Sequence, residues 1–205
     1  MKPGNLSTIS FMPEIYGHEH YEYLLVANLS GEVKEKVKAE TLVFYEEYKA
    51  GIAVTTQPHI MFAKFLAKEA MEDTSIRWME NIFTHQQSFP ATLNNYSGFP
   101  PHTIYLRLQD MTPFQKVAKD LKPVNTYIRS CGFPPMKLIP NPYVRIAGNL
   151  PEDVYFKALT QYARKSFHES FMIDELLLLK RKHQYDACKI IKVFALKSTN
   201  NEPFN

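Results

Sequence analysis

Two hydrophobic periods, one of about two residues and one of about 3.6, take turns along this chain and lay out its elements. "YEYLLVANL" (21–29) is dense in β-formers and predicts a strand. In "EVKEKVKAETLVFYEEYKAG" the apolar positions Val33, Val37, Leu42, Val43 and Tyr45 or Tyr48 suit an amphipathic helix that stops at Gly51. "HIMFAKFL" is a strand opened by Pro58, a position where proline is tolerated. "EAMEDTSIRWMENIFTH" returns to helical spacing through Ile76, Met79, Ile82 and Phe83, with a cap expected at Asp73 or Thr74. "FPATLNNYSGF" and "HTIYLRL" are two strands separated by a Gly/Pro turn. Thr112 and Pro113 cap and open a helix that Pro123 should kink or end.

The second half repeats this order. "YVRIAGNL" predicts a strand, and "PEDVYFKALTQYARKSF" a helix that opens at Pro151 and has Val154, Ala158, Leu159, Tyr162 and Ala163 on one face. "FMIDELLLLKRK" and "CKIIKVFAL" are read as two more strands around the turn "HQYDA". Each half therefore runs Pro, ring, strand, helix, strand from a Phe (Phe89 or Phe171), turn, strand. "PHIMFA" and "PYVRIA" mark the matching points, with His59 in one ring position and Tyr143 in the other. Two such units related by an approximate two-fold axis would enclose a groove between their repeated strands.

Composition narrows the class. Of 205 residues 45% are hydrophobic, including 14 Phe and 12 Tyr, enough for a packed interior rather than disorder. The net charge of +3 permits a phosphate-bearing ligand but is too small for a protein that tracks duplex nucleic acid. Cys131 and Cys188 supply neither metal-ligand spacing nor a disulfide framework. The first twenty residues, with Pro3, Gly4, Pro13 and Gly17, read as an irregular lead-in and not as a secretory segment. The densest apolar run, "FMIDELLLL", is interrupted by Asp174 and Glu175, so no membrane span is expected. A cytoplasmic protein, monomeric by default, is the expectation.

The ordered pattern resembles the 2H phosphoesterase superfamily, the 2′-5′ RNA ligase-like and cyclic nucleotide phosphodiesterase proteins. That family is named for two His-x-Thr/Ser motifs, one per lobe, each in a strand and typically after a proline. The likeness runs from "YEYLLVANL" to "KIIKVFAL", with "FPATLNNYSGFPPHTIYLRL" resembling the strand, glycine turn and strand ahead of the second motif. It implies an α+β fold of two pseudo-symmetric lobes, each a mostly antiparallel sheet with helices outside, forming a central groove. It further implies one domain over residues 1–205, built from two intertwined lobes. The implied chemistry acts on phosphodiesters without metal or cofactor.

The motif has a physical reason. Side chains two apart on a strand share a face, so a histidine and a hydroxyl both enter the groove. One histidine takes a proton from the attacking oxygen and the other gives one to the departing alkoxide, both near their own pKa. The hydroxyls hold non-bridging oxygens. This chain keeps His59 but has Met61, Tyr143 and Arg145 at the other three positions. A thioether donates no hydrogen bond. A phenol with pKa near 10 is a poor base at neutral pH. Arg145 suits phosphate oxygens and does not transfer protons. The expected residues are thus His59 and Tyr143 for proton transfer and Arg145 and Met61 against the substrate, with no metal site.

Two functions follow. One is a divergent protein binding a nucleotide or an RNA end with a 2′,3′-cyclic or 2′-5′ phosphodiester, its phosphoesterase activity weak, altered or lost. The other is a non-catalytic protein-interaction module on the same fold. Tyr143 could instead be a packed ring, and a one-residue slip would turn Arg145 to the other face. His18 and His20 in "HEH" lack further ligands nearby. "KRKHQ" (180–184) reads as a solvated turn, the alternative being contact with RNA phosphates at the groove mouth. Trp78 and Tyr105 read as core. His85, His102, His168 and His183 match no repeated motif.

Overall fold

A computed structural model describes residues 20–51, 57–183 and 186–198. The expected lead-in, with His18, lies outside them, apart from His20, which opens the first strand. In chain order the elements are β1 (His20–Asn28), α1 (Gly31–Tyr48), β2 (His59–Lys68), a 3-10 turn (Glu69–Met71), α2 (Glu72–Phe83), β3 (Phe89–Phe99) and β4 (Thr103–Leu108). There follow α3 (Thr112–Asp120), α4 (Lys122–Ser130), β5 (Lys137–Leu138), β6 (Tyr143–Ala147), α5 (Glu152–Tyr162), β7 (His168–Ile173), β8 (Glu175–Arg181) and β9 (Lys189–Ala195).

The strands form two antiparallel sheets, β5-β2-β1-β8-β9 and β6-β4-β3-β7. Helices α2 and α3 pack against the first sheet, and α4 packs on both of these helices; α1 and α5 pack against the second sheet. The fold is α+β with two lobes of matching order, as expected. Its connections were not legible in the sequence: the β3–β4 hairpin leaves the first lobe to pair with β7 and β6, and β8, with β9 beside it, leaves the second to pair with β1.

That exchange corrects one expectation. "FMIDELLLLKRK" is not one strand: Phe171, Met172 and Ile173 end β7 in the second sheet, Asp174 intervenes, and β8 runs in the first. Leu176 and Leu178 face the main core and Leu177 the opposite side, so the leucine run is buried on both faces.

Other differences concern helix ends and faces. Pro123 ends α3 and opens α4, as a first-turn proline does. Met111 rather than Thr112 is the N-cap residue of α3, and Asp110 just before it accepts the backbone N–H of Thr112 at 2.8 Å. No side chain caps α2 at Asp73 or Thr74; the preceding 3-10 turn feeds directly into it. In α1 the buried stripe is Val33, Val37 and Phe44, while Leu42, Val43 and Tyr45 are exposed. The helix ends before Gly51, at Lys49, which adopts φ 49° and donates to the Tyr45 carbonyl. In α5 the buried side chains are Tyr155, Ala158 and Tyr162, with Ala163 exposed. Trp78 is also exposed rather than core.

One apolar cluster joins the helix-facing sides of both sheets, bridged by Phe114 of α3 against Phe62 of β2 and Phe89 of β3. Beneath α5, β3 comes so close at Gly98 that an added Cβ would lie 2.5 Å from the Tyr155 hydroxyl oxygen. Only glycine fits there.

Candidate functional site

Strand β2 places His59, Met61 and Lys64 on one side, although strict alternation would give the third position to Ala63. The cause is a bulge: Leu25 pairs with Ala63 and Val26 with Met61, so Phe62 is the extra residue. Phe62 and Ala63 both turn into the core, and Lys64 joins the open side. No periodic reading of "HIMFAKFL" finds this lysine.

Strand β6 touches β2 and supplies the facing wall. His59, Met61, Tyr143 and Arg145, the four expected positions, line one cavity of about 310 Å³. Lys38 of α1, Lys64 and Lys137 complete its cationic lining. The register keeps Arg145 on the open side, cross-strand from Tyr105, with Tyr143 opposite Arg107. Lys38 pairs with Glu35 and Lys64 with Glu22. Among the described residues no carboxylate pairs with Lys137 or Arg145.

His59 is held by its own chain. Its Nδ1 lies 3.0 Å from the Gln57 carbonyl oxygen, which can only accept, so Nδ1 carries the proton and donates. Nε2 is then the basic nitrogen. Burial pushes the imidazole pKa below its ordinary value, and the positive charges of Arg145 and Arg181 push it the same way, against the opposing pull of the Gln57 carbonyl. His59 is neutral at pH 7, a state suited to accepting a proton and not to supplying one.

Tyr143 is not isolated. Its ring centroid lies 4.8 Å from Tyr105 and 5.1 Å from Phe99, and Phe99 stacks on Tyr105 at 4.4 Å. The two readings of Tyr143 thus coincide, since the ring packs on its neighbours and also lines the cavity. Tyr105 is half-buried on this open side rather than core.

The basic stretch at 180–184 also differs from expectation. Lys180 and Arg181 belong to β8: Lys180 pairs with Glu69 and Glu72, and Arg181 with Glu22, which also holds Lys64. Only Lys182 and His183 remain in the described turn, and Gln184 lies outside the described residues. Sequence reasoning missed Arg181 because a strand end and a hairpin tip look alike in one chain. Among the described residues no cluster of His, Cys, Asp or Glu could hold a metal ion. Nor is any helix among them long and apolar enough to cross a membrane.

No protein-family profile and no curated protein matches the chain in sequence. Solved structures do match in fold. TT0787 of Thermus thermophilus superposes with a TM-score of 0.62 at 12% identity, over 87% of this chain and 99% of that one. E. coli LigT complexed with 3′-AMP gives 0.61 at 14% identity, again over 87% and 99%. A crystal structure of a phosphoesterase gives 0.61 at 13% with the same coverage. The chain shares the two-lobed fold of these structures.

Proposed function

We propose that the cavity between β2 and β6 binds the phosphate of a nucleotide, or of an RNA end carrying a 2′,3′-cyclic or 2′-5′ phosphodiester, with turnover slow or lost. The observation that carries this reading is the convergence of His59 and Arg145 from two strands on one cation-lined cavity. Arg145 offers charge-assisted hydrogen bonds to non-bridging oxygens, with Lys137 adding charge. His59 Nε2 can accept a hydrogen bond from a protonated phosphate oxygen or a proton from water. The nucleotide-bound LigT structure of the same fold makes a nucleotide the natural first ligand to test.

Hydrolysis of a cyclic phosphodiester would need a water proton to move to His59 Nε2 as the water oxygen bonds to phosphorus. The bond from phosphorus to one ribose oxygen breaks, and that oxygen must take a proton from the Tyr143 hydroxyl. A phenol is a weak acid in general, and Met61 supplies no donor to the phosphate, so the step is slow. Replacing one good acid–base partner costs about 10²–10⁴ in rate. The alternative, a groove given over to a protein partner, suits an apolar plug better than an open cavity lined by three lysines and an arginine.

Calorimetric titration with inorganic phosphate and 3′-AMP tests binding. Arg145→Ala should weaken both about tenfold to hundredfold, the worth of hydrogen bonds to a charged group. Turnover of nucleoside 2′,3′-cyclic phosphates tests catalysis. Met61→Thr combined with Tyr143→His and Arg145→Thr should raise the rate, and His59→Ala should abolish whatever rate exists. A rate indifferent to His59→Ala removes that residue from the chemistry.

A further inference from the structure

Strand β9 is an outer edge of the first sheet, separated by β1 and β8 from β2 and its cavity. Leu196, just past β9, donates its N–H to the Asp174 carbonyl, so its backbone points toward the β8 side. Antiparallel alternation then points the N–H and C=O groups of Val193 and Ala195 outward. Among the described residues neither has a backbone partner on that edge. Lys197 does have one: it donates to the Gln86 carbonyl and accepts from the Ser88 N–H, in a parallel bridge at Gln87. The edge thus takes an extended segment at one end and stands open along β9.

Its two sides differ in chemistry. A bulge at Ile191 puts Ile190 and Val193 on the same side, opposite Leu179 and Leu177 of β8. Ile190 is 58% exposed and Val193 46%, beside the small apolar cluster of Leu24, Val26 and Leu177. Lys189 and Lys192 lie on the other side, toward α2. Lys192 pairs with Glu80 of that helix, and Lys189 stands opposite Lys180, which holds Glu72. From Cys188 to Lys197 the chain has three lysines and no acid. Among the described residues no carboxylate pairs with Lys189 or Lys197.

A second copy of the chain fits this edge poorly. Antiparallel pairing of two β9 strands would gather the lysines of both on one side, where like charges repel. Lysine on an edge strand is a common guard against such self-pairing. A nucleic acid would use the lysines and leave Ile190, Val193 and the outward amides without partners. The edge calls for backbone groups, aliphatic side chains on one side and carboxylates on the other. A strand in which aliphatic and acidic residues alternate supplies all three.

We infer that β9 is a docking edge for an extended acidic segment of a partner protein, which adds a strand to the five-stranded sheet. Its aliphatic side chains rest on Ile190 and Val193, and its carboxylates meet Lys189 and Lys192. This site is separate from the phosphate cavity and does not depend on it.

The test uses fluorescently labelled, capped heptapeptides and the full chain at low salt. One peptide alternates Val and Glu, a second alternates Val and Lys, and a third is the first with its amides N-methylated. The Val/Glu peptide should bind at least about tenfold more tightly than the Val/Lys peptide, the sum of several cross-strand charge pairs. N-methylation should abolish binding. Lys189→Glu should weaken the Val/Glu peptide about fivefold. Val193→Pro should weaken it about tenfold, because the N–H it deletes faces outward and not toward β8. Melting curves check that both variants are folded, and the methylated peptide makes the same test on the unaltered chain. Equal binding of plain and methylated peptides, or of acidic and basic ones, overturns the added strand. A dimer in sedimentation that Val193→Pro dissociates overturns it in favour of a second copy. An oligoadenylate that displaces the peptide overturns it in favour of nucleic acid.

Discussion

The groove sides of the two sheets invite comparison, because their strands match in order while their chemistry does not. Between β1 and β8 of the first sheet like meets like or sign meets sign: Leu24 pairs with Leu179, Val26 with Leu177, and Glu22 with Arg181. Leu24, Val26 and Leu177 are almost wholly buried, and Glu22 binds both Lys64 and Arg181. Between β4 and β6 of the second sheet two tyrosines meet two arginines, Tyr105 with Arg145 and Tyr143 with Arg107, without a carboxylate between them. The first side neutralises its own charges, whereas among the described residues the second offers its arginines no carboxylate. Matched topology thus sets two walls face to face, while the local balance of charge makes only one of them electropositive.

The largest effect should come from breaking the self-sufficient side. Glu22→Ala removes the one carboxylate shared by two partly buried cations. Stability should fall by about 3 kcal/mol in urea denaturation, as when one partner of a buried pair is deleted. Phosphate affinity should rise at the same time, because Lys64 and Arg181 lose their counter-charge; unchanged affinity would mean that these cations do not reach the ligand.

On the opposite side the reverse pattern holds. Lys137 is exposed and lines the cavity, so Lys137→Ala should leave stability within about 0.5 kcal/mol. It should weaken phosphate binding about threefold, by titration at low salt, and the loss should shrink as salt is added.

The smallest effect distinguishes the sides by pH. Because the folded state holds the His59 pKa below the ordinary value near 6.5, the unfolded chain takes up the proton first as pH falls. Stability should therefore be full above about pH 6.5 and decline below it, down to the depressed pKa. His59→Gln should flatten that part of the profile, and added phosphate, which favours the imidazolium, should do likewise. A wild-type profile that matches His59→Gln would mean that the imidazole is not perturbed.

Much of this was legible from residue order. Most strands and helices of the described chain have counterparts in the apolar periods, but β5 has none and β7 and β8 share one. The Pro–ring repeat located His59, Met61, Tyr143 and Arg145, which the fold brings to one cavity. What escaped depended on partners distant in sequence. Phe62 bulges because β1 pairs beside it, and so Lys64 rather than Ala63 faces the cavity. Leu42 and Val43 looked like a core stripe, yet α1 turns Phe44 inward against Tyr162 of α5. Lys180 and Arg181 looked like a soluble tip until Glu22, Glu69 and Glu72 met them. Tyr105 and Phe99 lie six residues apart across a turn, and only strand pairing stacks them.

The reciprocal placement of β3 and β8 has a mechanical result. The β3–β4 hairpin of the first half pairs with β7 and β6, and β8 of the second half, with β9 beside it, pairs with β1, so neither half can swing away without breaking backbone hydrogen bonds between strands. A cleft clasped in this way has no natural hinge.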